Sequence, residues 1–283
     1  VATDAPGLRT VLECAEESRK KKLAWVAGFC WRYDLPRREF YKRVHDGAIG
    51  DLRAIYATYY TSPVKPMPPA ASRPAGMGDI EWQLRNWYNF VWMCGDSLVE
   101  QAVHSVDKVA WAMKDEMPAK AVAVGGRQVP AQGGNIYDHF EVNYEYANGA
   151  RAFLACRQQS NCYSENNDYL LGAKGLANIR SGKLDIKAEN LNWRYSGPNN
   201  DMYQTEHDEL FQAIRGQRPR VDDGNFMAES CLMAIMGRAA AYTGKAVLWE
   251  KFLASKEDLR PAAYEFGPVP MPTVKHPGRT PLT

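Results

Sequence analysis

His139-Phe140-Glu141-Val142-Asn143-Tyr144-Glu145-Tyr146, followed by Ala147-Asn148-Gly149, is the stretch that decides the fold. Polar residues (His139, Glu141, Asn143, Glu145) alternate with apolar ones (Phe140, Val142, Tyr144, Tyr146), the period-two pattern of a strand with two unlike faces. Tyr146-Ala147-Asn148-Gly149 supplies a hairpin turn into a second strand over 150–158. Working outward, strands are predicted over 119–127 and 167–173, with shorter ones over 176–180, 183–187 and 190–195 linked by Gly172, Gly175 and Gly182. Upstream, Ile55, Ala57 and Tyr59 alternate with Tyr56, Thr58 and Tyr60 over 53–60. Helices are predicted at 36–46, 96–114, 203–216 and 223–243, the last stopped by Gly244. Hairpin-linked strands with helices grouped before and after them give an α+β fold: a large, mostly antiparallel open sheet with helices on one face. The Phe140, Val142, Tyr144, Tyr146 row is expected on the open face, too apolar for water and covered by a partner subunit in a homodimer or homotetramer.

The first residues read as a helix: Thr3 or Asp4 can cap, Pro6 suits the first turn, and Leu8, Val11, Leu12 and Ala15 recur at helical spacing. Lys20-Lys21-Lys22 then leads into Leu23–Phe29, an apolar run of the kind that forms a buried strand. With no initiator Met and a start inside a helix, the chain reads as processed or truncated, so its compartment is unknown. Residues 63–79 hold five prolines and three glycine or serine breakers, which predicts a long surface loop. The proline-rich tail from Pro261 is expected to be extended.

Composition narrows the function classes. Lys+Arg 35 against Asp+Glu 33 gives no global electrostatic attraction for nucleic acid. No apolar run approaches the roughly 20 residues that cross a bilayer. The six cysteines (Cys14, Cys30, Cys94, Cys156, Cys162, Cys231) form no CxxC pair, so neither a disulfide scaffold nor a structural zinc site is indicated, and reduced, mostly buried thiols are expected.

The segment richest in chemistry is Gly95-Asp96-Ser97-Leu98-Val99-Glu100-Gln101-Ala102-Val103-His104-Ser105-Val106-Asp107. On one helix, Val99, Val103, Val106, Ala110 and Met113 make a core stripe, and Glu100, His104, Asp107 and Trp111 lie along its edge. An imidazole titrates near neutrality, and a carboxylate one turn away can orient it or raise its pKa, which suits proton transfer. The plainer reading of the same spacing is a buried histidine beside solvated acids. Arg85, Asn86, Trp87 and Tyr88 offer stacking and hydrogen bonding to a small polar ligand, although Trp87 serves equally as core. Arg157 and Gln158 end a strand and could reach a pocket. Tyr203, His207, Leu210 and Ile214 share a helical stripe, so His207 reads as packed rather than catalytic. A metal site of Glu100, His104, Asp107 and His139, as in a metal-dependent isomerase, is the weaker alternative, and no metal is expected.

Ala27-Gly28-Phe29-Cys30-Trp31-Arg32-Tyr33, Gly47-Ala48-Ile49-Gly50-Asp51-Leu52, the Glu100–Asp107 segment, Glu206-His207-Asp208-Glu209-Leu210 and Ala241-Tyr242-Thr243-Gly244-Lys245 together resemble the Gfo/Idh/MocA family of glucose–fructose oxidoreductase and inositol dehydrogenase, in that family's order. The resemblance implies a Rossmann domain ending in a Glu-Lys-Pro motif, with residues 1–28 as its last helix and strand and 29–283 as the substrate-binding and oligomerisation domain. It implies NAD or NADP, bound mostly upstream of Val1, because the chain holds no G-x-G-x-x-G turn to seat a pyrophosphate. The chain as given is therefore expected to be an incomplete, inactive enzyme. The family's Asp-x-x-x-His-x-x-Asp pattern maps onto Glu100, His104 and Asp107, with Glu for Asp as a departure. Arg32 matches a position facing substrate and cofactor, and Arg85, Trp87, Tyr88, Arg157, Gln158 and Tyr203 are the remaining candidates for substrate contact. The implied function is a dehydrogenase or reductase acting on a sugar, polyol or keto-sugar, with His104 moving the proton. Redox-assisted glycoside cleavage and a non-catalytic binding or scaffold domain are the alternatives.

Overall fold

The computed structural model describes residues 1–130 and 133–283. Helix α1 (Ala5–Lys20) opens the chain, as its capping pattern predicts: Asp4 Oδ1 accepts from the Gly7 amide at 2.8 Å and Oδ2 from the Leu259 amide at 2.9 Å. A 3₁₀ turn at Cys30–Tyr33 leads into α2 (Leu35–His45), capped by Asp34. Strand β1 (Leu52–Thr61) follows, and then the proline-rich segment, irregular apart from a 3₁₀ turn at Ala70–Ser72. Helices α3 (Asp79–Arg85), α4 (Val91–Cys94), α5 (Ser97–Glu100) and α6 (Val103–Ala112) come next.

The strands are β2 (Lys120–Gly126), β3 (His139–Glu145), β4 (Arg151–Gln158), β5 (Asp168–Gly172), β6 (Gly175–Arg180), β7 (Lys183–Ala188) and β8 (Leu191–Arg194). Helices α7 (Met202–Ile214) and α8 (Gly224–Thr243), the short β9 (Val247–Leu248) and α9 (Trp249–Phe252) complete the order. One nine-stranded sheet results, in the order β8-β7-β6-β5-β1-β4-β3-β2-β9. Every neighbouring pair is antiparallel except β1 and β4, which run parallel because the helices between β1 and β2 carry the chain over the sheet before the β2–β3–β4 meander begins. The α+β architecture is the one the alternating patterns predict.

Helix α8 lies against β2 and β3, beside α1 and α6, and is buried nearly all round, which is why its sequence shows no polar face. Gly237 permits the approach: a Cβ there would stand 2.7 Å from the Tyr144 hydroxyl oxygen. That hydroxyl donates to the Met233 carbonyl at 3.0 Å, tying the sheet to the helix.

Three expectations are corrected. Phe140, Val142, Tyr144 and Tyr146 do not face outward: all four are buried beneath the helices, and the opposite row of β3 (His139, Glu141, Asn143, Glu145) is the outer one. The alternation was right, but apolar side chains follow the helical layer that covers them. Leu23–Phe29 does not form a strand. Its only ladder contact among the described residues is a single parallel bridge from Trp25 to Asp222, too little to define one. The helix expected over 96–114 is interrupted at Gln101-Ala102 and stops at Ala112.

Candidate functional site

Glu100 at the end of α5 and His104 in the first turn of α6 line one cavity of about 380 Å³, with Ala27, Gly28, Phe29 and Trp87 on its walls. The local fold that aims them begins at Gly95-Asp96, both at positive φ (79° and 90°). Asp96 occupies this costly conformation because its buried carboxylate accepts from the Ser97 amide at 2.6 Å, from the Tyr137 amide at 2.9 Å and from the Tyr242 hydroxyl. Burial pushes the Asp96 pKa up to about 6 despite these bonds.

His104 is held by rings rather than hydrogen bonds. Phe29 meets it edge-on at 5.8 Å between centroids, and Trp31 lies 5.5 Å away. Among the described residues no side chain or backbone group bonds to its ring nitrogens. Burial, followed by the charge of Lys108, lowers its pKa below the usual 6.5, so the imidazole is neutral and a proton acceptor. Burial raises the Glu100 pKa, partly offset by the Gln101 and Tyr88 side chains, and its buried Oε2 has no hydrogen-bond partner. An orphaned carboxylate oxygen beside an unbonded imidazole is the polar equipment of a binding cavity rather than of a core. Tyr59 donates to Gln101 Oε1 at 2.7 Å behind Glu100.

The other candidates divide. Trp87 lines the cavity. Tyr88 is buried beneath it, its hydroxyl accepting from Gln158 Nε2 at 2.6 Å, so these two support the wall. Asp107 is not on the cavity. Its carboxylate is engaged by Arg32 (Nη2 to Oδ1, 2.9 Å) and by the Ser230 hydroxyl at 2.9 Å, so it does not orient His104. Arg32 does not line the cavity either: it is shared between Asp107 and Asp115, with its guanidinium 4.0 Å from the centre of the Phe226 ring. The helical spacing put Asp107 on the His104 edge, but the side chain turns to the Arg32 guanidinium. Arg85 is exposed and pairs with Glu81 at 2.9 Å. Arg157 lies on the outer sheet face over Tyr60, with its centre 5.1 Å from that ring. Tyr203 is 62% exposed and neighbours the Cys30 thiol, and His207, expected to be packed, is exposed too. His139 pairs with Asp138 at 2.6 Å on the outer face of β3, apart from Glu100 and His104.

Lys108 and Trp31 escaped the sequence reading. Lys108 is fully buried and pairs with Asp168 at 2.7 Å, while Trp31 packs against the His104 ring. The available signal was Lys108 itself, a charge one turn after His104 flanked by the buried Val106, Val109 and Ala110.

Residues 38–178 match the family described as GFO/IDH/MocA C-terminal domain. No curated protein sequence matches the chain. Among solved structures it is similar to a Thermotoga maritima protein assigned as an oxidoreductase, with TM-score 0.68 and 18% identity over 88% of this chain and 70% of the other. It is similar to the aldose-aldose oxidoreductase of Caulobacter crescentus complexed with glycerol, with TM-score 0.68 and 16% identity over 87% and 69%. The WlbA dehydrogenase of Bordetella pertussis, in complex with NADH and UDP-GlcNAcA, matches with TM-score 0.65 and 15% identity over 87% and 69%.

Proposed function

The chain belongs to the Gfo/Idh/MocA oxidoreductase family, and from that premise we propose that it oxidises or reduces a sugar, polyol or keto-sugar with NAD or NADP, His104 carrying the proton. The observation that carries the reading is the pairing, on one cavity, of a neutral imidazole free of hydrogen bonds with the orphaned Glu100 Oε2. Glycerol in one relative, and NADH with UDP-GlcNAcA in another, support hydroxylated substrates and the dinucleotide.

The residues present fit the reacting end of a dinucleotide. Open space lies over Gly28, where an added Cβ would meet nothing within 4 Å, and the aromatic Trp87 and Phe29 suit a flat ring beside a small polyol. They offer no glycine-rich turn for its phosphates. In this reading residues 1–28 belong with the cofactor domain and 29–283 with the substrate domain. A bound nicotinamide supplies the hydride acceptor. His104 takes the substrate hydroxyl proton as the carbon–hydrogen bond breaks and the carbonyl forms, and it returns that proton in the reverse direction. Glu100 accepts a hydrogen bond from a neighbouring hydroxyl and so orients the polyol.

The test is a panel of aldoses, polyols and their keto forms with NAD+ and NADP+, run on the full-length protein and on His104→Ala. Net cofactor reduction that depends on His104 is expected. Glycoside cleavage without net reduction would move the protein to the redox-assisted lyase reading, and no turnover with either cofactor would leave the scaffold reading.

A further inference from the structure

The Lys108–Asp168 pair is the largest unexplained investment in the helical layer. Both side chains are no more than 2% exposed, with Nζ 2.7 Å from Asp168 Oδ2 and donating to Asn166 Oδ1 at 3.1 Å. A buried ion pair is often no more stable than the apolar residues that could replace it, so stability alone gives little reason for it here. Its position is more informative. Lys108 follows His104 by four residues on α6, one turn along the same stripe. The Trp31 ring joins the two, its centre 4.2 Å from Lys108 Nζ and 5.5 Å from the His104 ring. Resting on the proposed proton-transfer role of His104, we propose that Lys108 is a positioning residue: its buried charge sets the proton affinity of His104, and through Trp31 it fixes the ring.

The mechanism is electrostatic. Protonating His104 would place a second cation one turn from Lys108 in a poorly hydrated layer, so the ammonium disfavours the imidazolium and keeps the ring ready to accept a proton. Burial lowers the proton affinity of Lys108 itself, but Asp168 opposes this and holds the ammonium charged. The other charged groups around the ring are accounted for. Arg32 and Asp107 neutralise each other at 2.9 Å, and Arg37, stacked on Trp31, is paired with Asp34 at 2.9 Å. Glu100 lines the same cavity, and burial favours its neutral form. Lys108 acts on the charge of the His104 ring, and Asp168 is not among the groups that do.

The experiment is an NMR titration of the histidines in the full-length protein, with the His104 signal assigned by its loss in His104→Gln. In Lys108→Met combined with Asp168→Asn, which leaves no unpaired buried carboxylate, the His104 midpoint should rise by about 1 pH unit. Lys108→Arg should keep the midpoint of the parent protein. Asp168→Asn alone should raise it as well, because without that carboxylate burial favours the neutral Lys108 amine and the ring no longer faces a cation; this variant decides the matter if the double variant does not fold. A folded double variant with an unchanged midpoint, or an unchanged midpoint in Asp168→Asn, would overturn the assignment. The titration needs no substrate, so it stands or falls separately from the oxidoreductase reading. If both hold, the acidic limb of kcat/KM for oxidation moves up with the NMR midpoint in the double variant and stays in place in Lys108→Arg.

Discussion

In the proposed mechanism His104 works by what it lacks: with no partner on its ring nitrogens among the described residues, both are open to a substrate hydroxyl. Proton transfer by a positioned side chain is worth about 10²–10⁴-fold, so His104→Ala should lower kcat by that order while cofactor affinity stays nearly unchanged. Retention of more than about a tenth of kcat in the folded variant would refute the assignment. Glu100→Gln should cost less, since it keeps an acceptor oxygen and loses only charge. The folded pKa of His104 lies below 6.5, so its neutral form persists into mild acid. Oxidation should therefore lose kcat/KM only as pH falls through a value below 6.5, read from a pH–rate profile. Arg32, paired with Asp107 and Asp115, is proposed to serve stability instead. Arg32→Met would leave Asp107 buried and uncompensated, a loss of about 3–5 kcal/mol in denaturant unfolding, against a small change in substrate KM.

Between elements, two joints set the site. One is the α4–α5 corner at Asp96, whose raised pKa has a definite thermodynamic sign. The folded state binds the Asp96 proton more tightly than the unfolded chain does. This stabilisation is full below the unfolded value of 3.8 and is lost as pH rises through about 6. Relative to Asp96→Asn, the parent protein should lose up to about 3 kcal/mol of stability between pH 4 and pH 7, measured as the difference between two urea-unfolding series. A flat difference would show that Asp96 titrates normally. The other joint is the contact of α8 with β3. Gly237→Ala places a methyl 2.7 Å from the Tyr144 hydroxyl oxygen, and the forced shift should cost about 1–3 kcal/mol in the same assay.

At the scale of the molecule, the outer sheet face still carries apolar side chains, although not the row the sequence pointed to. Val122 and Val124 on β2, Leu171 on β5, Leu176 on β6 and Tyr56 on β1 stand exposed, with Val124 at 68%. Together they form a surface that a second copy can cover, and the proposed homodimer or homotetramer rests on them. Sedimentation of the full-length protein should show a dimer or larger, and Val124→Glu with Leu176→Glu should shift it toward monomer without unfolding it. A monomer in the parent protein at micromolar concentration would remove the proposal.

The sequence by itself determined the strands and most of the helices, because period-two alternation, hairpin glycines and capping residues act over a few neighbouring residues. Residues 53–60, 119–127, 138–146 and 150–158 needed only their own side chains to be read as strands, and Asp4 and Gly244 marked helix ends. It also singled out Glu100 and His104, which line one cavity although the helix predicted to carry both is interrupted between them. Tertiary structure alone decided which face of β3 is inside, since alternation is symmetric until a helical layer such as α8 covers one side. It also decided the partners of the charged groups. Asp107 went to Arg32, 75 residues away in sequence, and Lys108 to Asp168, 60 residues away, because a buried charge takes the nearest opposite charge in space, and nothing in local spacing encodes that distance.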